Sequence, residues 1–94
     1  MAQLYDSTKV REAARAMRAL RDSLEDGAME PQRRALRESE PLKGAAAEAM
    51  RERILLLEQD LKKSLGELDA ISAELNRYAG ALEEVGEKLI REMQ

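Results

Sequence analysis

Apolar residues recur every three or four positions along most of this 94-residue chain, the spacing that gathers them on one side of an α-helix. In the first arm, Val10, Ala13 or Ala14, Met17, Leu20 and Leu24 follow that step, which predicts a helix starting near Asp6 or Ser7 with Asp6-Ser7-Thr8 as its capping cluster. The stripe weakens after Leu24. Gly27 suits a helix end and Pro31 disfavours helical geometry at Glu30, so a kink or break is expected across 27–31. A short resumption from Pro31 to about Arg37 carries Ala35 and Leu36. The second arm is more regular: Ile54, Leu57, Leu61, Ser64, Leu68, Ile71, Leu75, Tyr78, Leu82, Val85 and Leu89 alternate steps of three and four, and only Ser64 among them is polar. A flanking row of Leu65, Ser72, Ala79, Gly86 and Met93 at seven-residue spacing widens this seam, so the helix has apolar surface for more than one neighbour.

Between the arms stands Ser39-Glu40-Pro41-Leu42-Lys43-Gly44. Proline accepts the first turn of a helix but not its interior, and a serine can cap the orphan amides of a helix that follows it. The expected organisation is one domain: helix 1 over about 6–38, an elbow at 39–44, and helix 2 over about 40–93. That second helix is roughly 80 Å long at 1.5 Å per residue. Two helices that touch only each other bury too little apolar surface to offset chain entropy, and no disulfide or metal adds support. The predicted fold is therefore all-α, an antiparallel helical hairpin that pairs into a four-helix bundle. The partner interface is expected on Val10, Met17, Leu20 and Leu24 of the first arm, on Met50, and on the second-arm seam from Ile54 to Leu89 without Ser64. The turn motif is Pro41, Leu42 and Gly44.

Composition narrows the chemistry. The chain has no His, Cys, Trp or Phe and two Tyr, which removes the usual bases, thiolates and metal ligands and points to binding rather than catalysis. No catalytic residue, cofactor or metal is expected. Glu83, Glu84 and Glu87 lie close together, but beside a seam through Leu82, Val85 and Leu89 they read as a solvated face. Residues 1–47 carry nine basic and eight acidic side chains, and residues 48–94 carry seven and eleven, so the arms are about +1 and −4. Arg11, Arg15 and Arg18 align on one side of the first helix, and Arg33, Arg34 and Arg37 cluster before the elbow. Interspersed acids break up that field and the chain is net acidic, so ion pairs between arms or with a partner are expected, not nucleic acid. The longest apolar runs are far short of a membrane span, so no membrane insertion is expected. Met1-Ala2-Gln3-Leu4-Tyr5-Asp6 lacks a basic start and an apolar run, so no general secretory leader is read there.

The elbow and its sequel, Leu42-Lys43-Gly44-Ala45-Ala46-Ala47-Glu48-Ala49-Met50, resemble the small WXG family of type VII secretion proteins, in which Trp-x-Gly joins two helices. Here Leu42 stands in place of the tryptophan and Met50 in place of a common aromatic. The family's export signal, Tyr-x-x-x-Asp or Tyr-x-x-x-Glu, has no complete counterpart, because Tyr78 is followed four residues later by Leu82 and Glu83 and Glu84 fall out of register. The resemblance implies a secreted substrate, or a targeting or chaperone-like adaptor that depends on a partner bearing the signal. That partner would be a second copy, a related hairpin, or the helical N-terminal domain of an LXG toxin. It also implies a cytoplasmic location before export through a type VII system. The alternatives are a structural coiled-coil module and a hairpin like a type III secretion needle protein or its chaperone.

Overall fold

A computed structural model describes residues 6–94, which are helical over 8–39 and 45–93, with no strand among them. Helix α1 spans Thr8–Leu24, a π-helical turn Glu25–Met29 follows, α2 spans Glu30–Ser39, and α3 spans Ala45–Met93. The molecule is elongated, 76 × 15 × 15 Å. The 49 residues of α3 alone account for about 73 Å of that length, so the first arm adds no length and lies beside α3.

Capping at the N-terminus is done by Asp6, whose Oδ1 accepts a hydrogen bond from the Thr8 amide at 2.9 Å. The expected break across 27–31 takes a different form. Leu24, Glu25, Met29 and Glu30 all keep right-handed helical angles, and the Glu30 amide bonds to the Glu25 carbonyl five residues back. The cause is Pro31. It lacks an N–H and its ring crowds the carbonyl four residues earlier, so a widened turn just before it relieves the clash without ending the helix. Gly27 is not a helix terminus, and Gly44 is the only residue with positive φ among those described. The turn also shifts the phase of the arm. Two heptads on from buried Ala14 the buried seat falls to Ala28, yet the fully buried side chain is Met29.

The elbow corrects two expectations. The second helix begins at Ala45 and not near Glu40, with Pro41 in the turn before it and not in its first turn. Ser39 belongs to the end of α2, where its Oγ donates to the Leu36 carbonyl at 2.7 Å and caps no following helix. The exposed carbonyls at this helix end are held instead by Arg51, whose Nη1 donates to the Ser39 carbonyl at 2.8 Å and to the Leu42 carbonyl at 2.9 Å. A cation there also complements the negative end of the helix dipole. Gly44, the residue before α3, has φ 110° and ψ 167°, a region that essentially only glycine occupies. A Cβ there would meet nothing within 4 Å, so the cost of a side chain is purely one of backbone strain. Gly44→Ala is expected to lose about 1–3 kcal/mol, read as a lowered thermal midpoint, while the exposed neighbour Lys43→Ala changes it little.

Candidate functional site: the uncovered face of the two arms

Heptad spacing divides the apolar side of α3 into three adjacent columns. The inner column, Leu65, Ser72 and Ala79, is buried against the first arm. Read from the sequence as a flank, it is the centre of the joint between the arms. Its small members explain this: serine and alanine allow close backbone approach, and the Ser72 Oγ donates to the Ala14 carbonyl at 3.2 Å across the joint. The edge column, Ile54, Leu61, Leu68, Leu75 and Leu82, is half-buried. The outer column, Met50, Leu57, Ile71, Tyr78 and Val85, is open, with Leu57, Ile71 and Tyr78 at 49%, 46% and 58% exposure. Leu89 is also exposed. On the first arm Val10, Met17 and Leu24 are half-buried and Leu20 is exposed. The residues expected to form one partner surface are therefore divided between a joint inside the chain and a face that the chain leaves uncovered.

The two sides of the joint differ chemically. On one side, polar residues of α3 spaced by seven, Asp69, Asn76 and Glu83, meet the first arm. Arg21 Nε lies 3.1 Å from Asp69, and Arg11 reaches Glu83 through Nε at 3.1 Å and Asn76 through Nη1 at 3.5 Å. Ser7 Oγ adds a hydrogen bond to Glu83 at 3.1 Å. Farther along, Arg33 Nε lies 3.7 Å from Glu58, and Arg21 also pairs with Glu25. The pairings run in opposite directions along the two arms, from Arg11 with Glu83 to Ser39 with Arg51. The other side has no such closure. There the edge column grades into the open column, and a shallow hollow of about 550 Å³ lies along Ile71, Leu75 and Tyr78. Nearer the elbow a second hollow involves Ala35, Glu38, Leu42, Met50 and Ile54, which brings Leu42 and Met50 of the motif region to the same face.

This arrangement suits association through apolar contact. Among the described residues four apolar ones, Ala14, Met29, Leu65 and Ala79, are buried, whereas at least a dozen large ones are exposed, more than scattered surface residues account for. Among the described residues no group of three or more His, Cys, Asp or Glu is placed to hold a metal, and no helix is long and apolar enough to cross a membrane.

The Glu83 cluster provides a pH handle. Hydrogen bonding from Arg11 holds the Glu83 carboxyl below its ordinary range, with Ser7 adding to the effect and partial desolvation opposing it. A carboxylate whose folded-state value is depressed contributes stability that is present above its unfolded value and fades as pH falls through the folded one. Acidification below the usual glutamate range is therefore expected to loosen the start of α1 from α3. Amide hydrogen exchange over residues 8–14 should lose protection in wild type under those conditions, while Glu83→Gln is already less protected at neutral pH and responds little to acid.

The chain matches no family model, no curated protein and no solved structure.

Proposed function

We propose that this chain is a non-enzymatic binding protein of a type VII secretion system, acting as a secreted substrate or as a targeting or chaperone-like adaptor for a partner effector. Its two arms work as an antiparallel helical hairpin, and the uncovered face pairs with a second hairpin to complete a four-helix bundle. The observation that carries this reading is the open column from Met50 to Val85, which lies beside the joint and is left about half exposed by the described residues. Burial of such a row supplies most of the affinity at roughly 25 cal/mol per Å², and surrounding charges set partner and register. The secretion part rests on the resemblance at Leu42-Lys43-Gly44, and the backbone of Gly44 is in keeping with it: the turn needs glycine at the position that Trp-x-Gly also gives to glycine.

Without a complete Tyr-x-x-x-acid signal, the chain leaves the cytoplasm only alongside a partner that has one. The test is to co-express it with an LXG toxin that has its helical N-terminal domain, in a host with an intact or deleted type VII ATPase. Co-purification of the pair and ATPase-dependent appearance of the toxin outside the cell, lost when this chain is omitted, are the expected results. Export unaffected by the chain and the ATPase would sink the secretion reading. The rod-like shape also fits a structural coiled-coil module, and that same outcome, combined with self-association, would favour it.

A further inference from the structure

The last turns of α3 carry an apolar surface distinct from the open column. Among the described residues, polar contacts between the arms reach as far as Glu83, where Arg11 and Ser7 meet it, and α3 then runs on to Met93, about 15 Å farther. Along this stretch Leu89 continues the edge column, Met93 the inner column, and Ile90 the column of Asp69, Asn76 and Glu83. These three therefore flank the line that the first arm covers elsewhere on α3. They are nonetheless 38%, 85% and 59% exposed, in that order.

We infer that Met1–Tyr5, which lie outside the described residues, form a strap over this end of α3, with Tyr5 against Val10 and Leu89 and Leu4 against Ile90. Direction is the first reason. Ser7 already has helical angles and its carbonyl accepts the Arg11 amide, so the residue that caps α1 is Asp6, bonded to the Thr8 amide at 2.9 Å. Tyr5 is then the residue before the cap and Val10 the fourth of the helix, the apolar pair that a hydrophobic staple joins. Residues three and four before buried Ala14 fall on its two sides: Arg11 on the polar side of the joint, and half-buried Val10 on the side of the edge column that ends in Leu89.

Pairing and reach agree with that direction. Arg11 meets Glu83, and seven residues outward on each strand of chain stand Leu4 and Ile90, so both sides exchange charge for an apolar side chain at the same step. Extended chain covers about 3.3 Å per residue, which gives Met1–Tyr5 a span of about 17 Å, close to the length of α3 beyond Glu83. Successive side chains of an extended segment alternate in direction, sending Tyr5 towards Leu89 and Leu4 towards Ile90. Covered in this way, Leu89 belongs to the packing of the chain itself. The face offered to a partner then runs from Met50 to Val85 and stops at the strap.

The chain has two tyrosines and no other aromatic residue or histidine, so in a carbon-edited NMR spectrum the rings of Tyr5 and Tyr78 stand alone. Nuclear Overhauser contacts from the Tyr5 ring to methyl groups of both Val10 and Leu89 are expected. A Tyr5 ring with no contact to Leu89 would overturn the inference. So would contacts that arise only between differently labelled copies, since the strap would then lie on another chain. As a second measurement, Leu4→Asp is expected to speed amide hydrogen exchange over residues 88–93 about tenfold, the effect of withdrawing one partly buried leucine, while Leu4→Met leaves it unchanged. Equal exchange in wild type and Leu4→Asp would contradict the strap. Each of these results leaves the pairing of hairpins and the export test above untouched.

Discussion

Replacing Ile71 and Tyr78 together with Asp is expected to abolish association and, with it, the dependence of thermal midpoint on protein concentration. Each side chain is about half exposed in the single chain, so the substitutions disturb its internal packing far less than a change at a buried position would. Burying an apolar side chain of this size contributes about 1.5–3 kcal/mol, and an unpaired carboxylate in its place resists desolvation. The pair should therefore weaken association by at least about 100-fold, since each 1.4 kcal/mol is tenfold. Binding to the folded state raises its apparent stability by mass action. Wild type should melt at higher temperature as it is concentrated, whereas the double variant should melt early at every concentration. An unchanged midpoint in the variant would mean that the two arms are stable by themselves and that the open column has no structural role.

Leu65→Ala should give a contrasting signature. Leu65 is 6% exposed and one of four buried apolar residues among those described, on the inner column that joins α3 to the first arm. Truncating a buried leucine costs about 2–5 kcal/mol, according to how far the surroundings relax, and whole small domains have only about 5–15 kcal/mol of stability. The variant should unfold at lower urea concentration and lower temperature, yet retain a midpoint that rises with protein concentration, because its outer column is intact. Urea titrations at two protein concentrations separate the cases. Loss of concentration dependence in Leu65→Ala, or little loss of stability, would show that the joint and the outer face are not the distinct surfaces described here.

Helical periodicity made the second arm plain in the sequence, since nothing in it competes with the three-and-four step. Assigning its faces was harder. Hydropathy favours the two columns from Ile54 to Leu82 and from Met50 to Val85, and these are half-buried and exposed, not the centre of the joint. The joint is built on Leu65, Ser72 and Ala79, where small side chains bring the backbones together and a serine hydroxyl finds a carbonyl on the other arm. The legible signal was the seven-residue spacing of these small residues, opposite an equally small Ala14. At Pro31 the local rule against helix was sound, but a break was only one way to obey it, and the π turn meets the same steric demand with the helix continuous. At the elbow, Ser39 and Pro41 carried a generic capping signal. The tertiary contact from Arg51, twelve residues after Ser39, outweighed it and fixed the end of α2, leaving Gly44 to start α3. The Arg11–Glu83 contact spans seventy-two positions, and nothing local in the sequence singled out those two from the other charges.

On the proposed reading, the chain folds stably only when the open face of α3 is covered. Light scattering of the purified 10.6 kDa chain during serial dilution, with circular dichroism on the same samples, tests it most directly. Helical signal should accompany a species of at least twice the chain mass and fade as that species dissociates. A fully helical, cooperatively melting monomer that persists on dilution would contradict it.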